Sequence, residues 1–171
     1  SAWIKKNIGE GTPIVVIGNP IFLHKEKTGD EKPLSAVIGE TAPARTVVAM
    51  GRLSSEKGFD LLFSITDTLL KELPIQLIVV GDGESEVMGF FHDLETRFPD
   101  KVAIHLKFDP ILPHIVFAGS DVVVAPSRFE PCGLTPMEAM RMGAIPIVRK
   151  TGGLADSVED YNPEMQTGTG F

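Results

Sequence analysis

The sequence predicts an α/β fold built on a doubly wound, mostly parallel sheet. Two observations carry the prediction: five strand-length runs are apolar almost throughout, as strands buried on both faces must be, and helix-length segments separate them. The 171 residues suffice for one domain with a real hydrophobic core, or for a piece of a larger protein.

In chain order, a polar stretch from His24 to Lys32 reads as a loop and sets a short apolar run, Ile14 to Gly18, apart from the rest. Residues 1–45 are therefore expected to form an irregular lead-in segment with one short strand, and residues 46–171 the α/β domain. The strands expected in that domain are Thr46 to Met50, Ile75 to Val80, Val102 to Leu106, Asp121 to Ala125 and Ile145 to Val148.

The clearest helix is Lys57 to Glu72, where Leu62, Ile65, Thr66, Leu69, Leu70 and Leu73 recur at spacings of three and four and Pro74 supplies a stop. Glu84 to Arg97 is a second helix despite Gly89 inside it. Pro110 to Gly119 is a third, with Pro113 tolerated only in its first turn. Thr135 to Met142 is a fourth, with Thr135 as cap, Pro136 where a missing N–H costs nothing, and Gly143 as stop. In sheets of this kind ligands bind beyond the carboxyl ends of the strands, so the loops after the strands are the place to look for chemistry.

Composition narrows the search. No run of about eighteen apolar residues offers a membrane span. A net charge of −7 argues against nucleic acid as a partner, because phosphate binding of that kind needs clustered Lys and Arg. Cys132 is the single cysteine, so no internal disulfide forms, and His24, His92, His105 and His114 lack metal-ligand spacing; no metal site and no cofactor is expected. No secretory leader is visible at the start, which makes the cytoplasm the expected compartment, or the plastid stroma for a plant-type parent.

Three loops carry candidate chemistry. In Gly51-Arg52-Leu53-Ser54-Ser55-Glu56-Lys57-Gly58 two cations follow a strand and reach the start of a helix, an arrangement suited to a diphosphate; the plainer reading is a solvated loop with Arg52 paired to Glu56. Gly81-Asp82-Gly83-Glu84 lacks the third glycine of a dinucleotide fingerprint and reads as a tight turn.

The richest segment runs from Ser127 to Met140. Glu130 precedes a turn, Gly133 lets backbone N–H groups face a ligand, and Glu138 is expected in the first turn of the helix. Two carboxylates flanking a phosphate site accept hydrogen bonds from sugar hydroxyls, one at a hexose and one at a ribose. The plainer alternatives are a helix-stabilising Glu138 and a Glu130 paired with Arg128. Cys132 is a small packed side chain unless a base approaches it, and Lys150 to Leu154 either closes over the site or forms a Gly-Gly turn.

Taken together, Ser127-Arg128-Phe129-Glu130-Pro131-Cys132-Gly133-Leu134-Thr135, then Met140-Arg141-Met142-Gly143, then Lys150 to Asp160, closely resemble the C-terminal domain of glycogen and starch synthases. With Gly51-Arg52-Leu53 and Lys57 to Leu61 the likeness covers Val47 to Phe171. It implies a Rossmann-like domain, one half of a glycosyltransferase B-type architecture, that binds a nucleotide sugar. By the resemblance Arg52 and Lys57 hold the donor phosphates, Glu130 faces the donor glucose, Cys132, Gly133 and Leu134 form the turn at the sugar, and Thr135 contacts phosphate. Phe108 and Ile111 fall where the family lines the nucleobase.

The expected reaction is retaining transfer of glucose from ADP-glucose or UDP-glucose to an α-1,4-glucan, which reaches the site through an N-terminal domain absent from this sequence. The fragment alone is expected to be inactive. Glu138 stands where many bacterial ADP-glucose-dependent synthases have Tyr and where sucrose synthases and related transferases have Glu, which leaves the donor nucleotide open. The rivals are a UDP-sugar transferase of the same fold acting on another acceptor, and a non-catalytic nucleotide- or glucan-binding module.

Overall fold

The computed structural model describes residues 45–107 and 112–171. The expected lead-in segment lies outside the described residues except for Arg45, as do Phe108 and Ile111. Five parallel strands form one sheet: β1 (Arg45–Leu53), β2 (Ile75–Gly83), β3 (Val102–His105), β4 (Val122–Ala125) and β5 (Ile145–Val148), in the order β3-β2-β1-β4-β5. The helices are α1 (Thr66–Glu72), α2 (Ser85–Arg97), α3 (Leu112–Ala118), α4 (Leu134–Arg141) and α5 (Gly152–Ser157).

Side-chain alternation along the strands explains why the sheet is wound on both faces. Ala49, Leu77 and Val79 join Phe59, Leu70, Phe91 and Leu94 in one core, while Val48, Ile78, Val80 and Val123 join Val116, Phe117 and Ala139 in another. Neighbouring residues on one strand thus feed opposite layers, as the continuous apolar runs require. Aromatic rings fill the first layer: Phe63 stacks on Phe90 at 4.0 Å between ring centroids, and Phe59 meets Phe91 edge to face at 6.4 Å.

The chain reverses its direction of travel across the sheet between β1 and β4, which are adjacent though far apart in sequence. That is the switch point of such a sheet, at whose carboxyl-end side ligands bind.

Several expected elements change. β1 and β2 run three residues past their expected ends, with Gly51, Arg52 and Leu53 paired to Gly81, Asp82 and Gly83. The Gly81-Asp82-Gly83 segment is therefore strand and not a tight turn. Its glycines answer a close approach of backbones: a methyl group on Gly81 would lie 1.9 Å from the Gly51 carbonyl oxygen, and one on Gly83 2.1 Å from that of Leu53.

The long helix expected from Lys57 is broken into a 3-10 turn, Phe59–Leu62, and α1. Leu70 and Thr66 face the core, whereas Ile65, Leu69 and Leu73 are exposed on the other side. Periodicity placed all of them on one broad stripe, but only its Leu70 edge meets the sheet. The helix around Gly89 does form, because Val87, Phe91 and Leu94 at spacings of four and three bury one face, and Gly89 points to solvent.

Two stability outcomes follow. A Leu70→Ala variant is expected to lose about 2–5 kcal/mol in urea unfolding, and Leu69→Ala a small fraction of that. Gly89→Ala, whose added methyl group meets nothing within 4 Å, is expected to gain about 0.5–1 kcal/mol in the same measurement.

Candidate functional site

The loops that follow β1, β4 and β5 meet above the switch point. Gly58 allows the first two to touch: a methyl group there would lie 2.1 Å from the Pro126 carbonyl oxygen, and its φ of 71° is in the left-handed region that glycine adopts freely. The backbone N–H of Arg128 donates to the Glu56 carbonyl at 2.9 Å and ties the same two loops. The loop after β5 fits beneath them, with the N–H of Gly153 donating to the Glu130 carbonyl at 2.8 Å. A methyl group on Gly152 would lie 2.2 Å from that carbonyl oxygen, so the Gly-Gly pair, which opens α5, braces the Glu130 turn.

Two cavities open here and share Met50, Gly51, Arg52 and Thr135. The larger, ≈ 410 Å³, is walled by Val80, Gly81, Asp82, Lys107, Phe117 and Glu138 among others. The smaller, ≈ 240 Å³, holds Lys57, Glu130, Cys132 and Leu134. Of the expected site residues Arg52 and Thr135 thus stand on the shared wall, Lys57, Glu130, Cys132 and Leu134 in one chamber, and Glu138 in the other.

Lys57 and Glu130 are the electrostatic centre. The Lys57 ammonium donates to Glu130 Oε2 at 2.8 Å, and both side chains are about four-fifths buried, at 22% and 19% exposure. Glu130 also accepts from Ser127 Oγ and from the Gly133 N–H, each at 3.4 Å. Burial pushes the Glu130 carboxyl up, but the hydrogen bond and charge of Lys57, with the help of Gly133 and Ser127, outweigh it and hold the group below its ordinary value. The alternative partner weighed for Glu130 is thus replaced: Arg128 binds Asp60.

Arg52 is a different case. It pairs with Glu56 at 2.7 Å, as the plainer reading has it, yet the two side chains are 61% and 50% exposed. An i, i+4 pair so open to water contributes about 0.5 kcal/mol, so Arg52 is free to exchange Glu56 for an anion at little cost.

Local structure corrects two details of the anion site. The start expected at Lys57 is not a helix N-terminus with idle donors, since the N–H groups of Lys57, Gly58 and Phe59 are bonded to Ser54 and Ser55. The cations themselves make that side of the site. At the other side α4 begins at Leu134, with Gly133 as its cap at φ 76° and Pro136 buried in the first turn; Thr135 is inside the helix and makes no capping bond. Glu138 accordingly falls in the second turn, facing the larger cavity from an exposed position, and is not a first-turn stabiliser.

Cys132 is exposed in the smaller cavity, not packed away as a small hydrophobe, and no histidine among the described residues lines either chamber. Among the described residues no group of three His, Cys, Asp or Glu is placed to hold a metal ion, and no helix is long and apolar enough to cross a membrane. Sequence reasoning missed Met50, Lys107 and Phe117, and set Asp82 aside as part of a tight turn. Lys107 follows the end of β3, a place where a cation signals a site, whereas Phe117 carries no local signal and comes to the larger cavity through the packing of α3 on the sheet.

Comparisons with known proteins agree with this architecture. The family model described as "Glycosyl transferases group 1" matches residues 30–171. A glycogen synthase of Thermotoga petrophila is 43% identical over 140 residues, covering 81% of this chain and 29% of that protein. One from Desulforamulus reducens is 42% identical over 148 residues, covering 86% and 30%. The chain thus spans about three tenths of these relatives' length.

Among solved structures, the catalytic domain of starch synthase IV from Arabidopsis thaliana bound to ADP and acarbose superposes with a TM-score of 0.66 at 39% identity, covering 73% of this chain and 26% of that one. Anabaena HepE in complex with UDP and glucose gives 0.55 at 28%, covering 70% and 33%. The doubly wound sheet is the Rossmann-like fold of the B-type glycosyltransferases.

The Lys57–Glu130 pair makes a prediction about acid stability. Because the folded Glu130 carboxyl lies below its ordinary 4.5, its contribution is complete above that pH and is lost as pH falls through the folded value. Thermal unfolding followed from pH 7 to 3 is expected to show a shallower fall on the acid side for Glu130→Gln than for the natural chain, with little difference in slope at neutral pH.

Proposed function

The chain belongs to the group 1 glycosyl transferases, and from that premise we propose that it is the donor-binding domain of a glucan synthase. The observation that carries the reading is the pair of joined cavities with Arg52 and Thr135 on their common wall, Lys57 and Glu130 in the smaller chamber and Glu138 in the larger. A nucleotide sugar has the same order of parts: nucleoside, diphosphate, hexose.

The nucleoside occupies the ≈ 410 Å³ chamber, where the Glu138 carboxylate accepts from ribose hydroxyls. The diphosphate lies across the shared wall, between Arg52, Lys57 and the start of α4. The glucose enters the ≈ 240 Å³ chamber against Glu130 and the turn of Cys132, Gly133 and Leu134. Arg52 and Lys57 stabilise the negative charge that grows on the diphosphate as it leaves. Glu130 orients the sugar and faces the positive charge that develops on its ring. The reading assigns no metal and no cofactor, since the nucleotide sugar is itself a substrate.

The proposed reaction is transfer of glucose from ADP-glucose or UDP-glucose to an α-1,4-glucan with retention at the anomeric carbon, in a cytoplasmic protein. Support comes from the glycogen synthases that align with this chain and from the ADP and UDP-with-glucose complexes that share its fold. Transfer is proposed for the longer protein, in which a second domain brings the acceptor; the chain by itself binds the donor without turning it over, because positioning and enclosure supply most of the rate. A second reading, a UDP-sugar transferase with another acceptor, draws on Glu138 in the nucleoside chamber.

Calorimetry of the chain with ADP, UDP and NAD tests the proposal. ADP or UDP is expected to bind and NAD is not. Joint Arg52→Ala and Lys57→Ala substitution is expected to weaken nucleotide binding by about 2–3 kcal/mol, some hundredfold; unchanged affinity would remove the phosphate assignment.

A further inference from the structure

Four charged side chains link the two loops of the site, and they do so in crossed pairs. The loop after β1 supplies a cation, Lys57, and a carboxylate, Asp60; the loop after β4 supplies a cation, Arg128, and a carboxylate, Glu130. The Lys57–Glu130 pair lines the smaller cavity. The Arg128–Asp60 pair lines neither chamber.

The outer pair is built with two prongs. Arg128 Nη1 donates to Asp60 Oδ1 at 2.5 Å and Nη2 to Oδ2 at 2.8 Å. Nη1 also donates to the Ser55 carbonyl at 2.5 Å, and the Arg128 carbonyl accepts from Thr151 Oγ1 at 3.3 Å. One guanidinium therefore grips the first loop at two points while its own backbone is anchored to the first and third. A planar fork on a carboxylate fixes angle as well as distance, which a single ammonium does not.

We propose that Asp60 and Arg128 are a positioning pair for the donor site, holding the two loops in register when Lys57 turns from Glu130 to an incoming diphosphate. The inference rests on the donor-binding reading above. Before ligand arrives both pairs join the loops. A diphosphate competes for the Lys57 ammonium and a sugar for the Glu130 carboxylate, so ligand weakens the inner pair at the moment its members are needed in place. The outer pair offers no group to either cavity and is left intact.

Its electrostatics suit the task. The hydrogen bond and charge of Arg128 hold the Asp60 carboxyl below its ordinary value, which favours its ionised form. With the two side chains 37% and 33% exposed, the pair contributes little to overall stability. Its effect is on geometry: Lys57 lies three residues from Asp60, on the far side of the Gly58 contact with Pro126.

The test is calorimetry with ADP and UDP on the full chain and on four variants: Asp60→Asn, Arg128→Lys, Lys57→Ala, and Asp60→Asn combined with Lys57→Ala. Thermal unfolding confirms that each is folded. Asp60→Asn and Arg128→Lys are each expected to weaken binding about five-fold, whereas Asp60→Asn added to Lys57→Ala is expected to cost less than about two-fold more, because no ammonium remains to be positioned.

Full affinity in Arg128→Lys, or an equal loss from Asp60→Asn with and without Lys57, would overturn the positioning role. If Lys57→Ala weakens binding and Asp60→Asn does not, the positioning proposal alone falls. If the natural chain binds neither nucleotide, the donor-binding reading falls and takes this inference with it.

Discussion

The approach of the loop after β1 to the loop after β4 decides where the charged groups of this protein sit. At Gly58 the two backbones are so close that a methyl group would lie 2.1 Å from the Pro126 carbonyl oxygen. Only that proximity lets Lys57 reach Glu130 and Arg128 reach Asp60 across more than sixty residues of chain. Any residue larger than glycine would force the loops apart and also strain a left-handed backbone, so one small position governs two ion pairs.

A second contact of the same kind supports the first from below. Gly152 and Gly153 pack against Glu130 and Cys132, where a methyl group on either would lie 2.2–2.3 Å from backbone. The turn that presents Glu130 is therefore held on one side by Lys57 and on the other by the chain entering α5. A carboxylate four-fifths buried is costly unless its hydrogen bonds are made, and here Lys57, Ser127 and Gly133 make them. The two chambers thus bring Arg52, Lys57 and Lys107 together with Asp82, Glu130 and Glu138, in a chain whose net charge is −7. Long-range attraction does not bring an anion here, so recognition rests on the few groups that face the cavities.

The sheet explains why the site lies where it does. β1 and β4 are neighbours, yet α1, α2 and α3 intervene between them in sequence, and the layers they form bury opposite faces of the same strands. At such a junction the helices that follow β1 and β4 pack on opposite faces of the sheet, and Arg52, Thr135 and Glu138 line the cavity at the strand ends. The exposed Ile65, Leu69 and Leu73 on the outside of α1 belong to no such layer and show how little a helical stripe says about which of its edges is buried.

Strand positions, the alternation of strands with helices and the doubly wound class were legible in the sequence, because burial on both faces demands continuous apolar runs and their spacing is local information. Arg52, Lys57, Glu130 and Glu138 were legible as candidates because charges in the loops and helix starts that follow strands suit a diphosphate and sugar hydroxyls. What local pattern does not contain is pairing over distance. That Glu130 takes Lys57 and not Arg128, that Arg128 takes Asp60, and that Gly81 is strand and not turn all follow from which backbones touch. Those contacts are set by the crossing of the chain over the sheet, and so only the tertiary structure decided them.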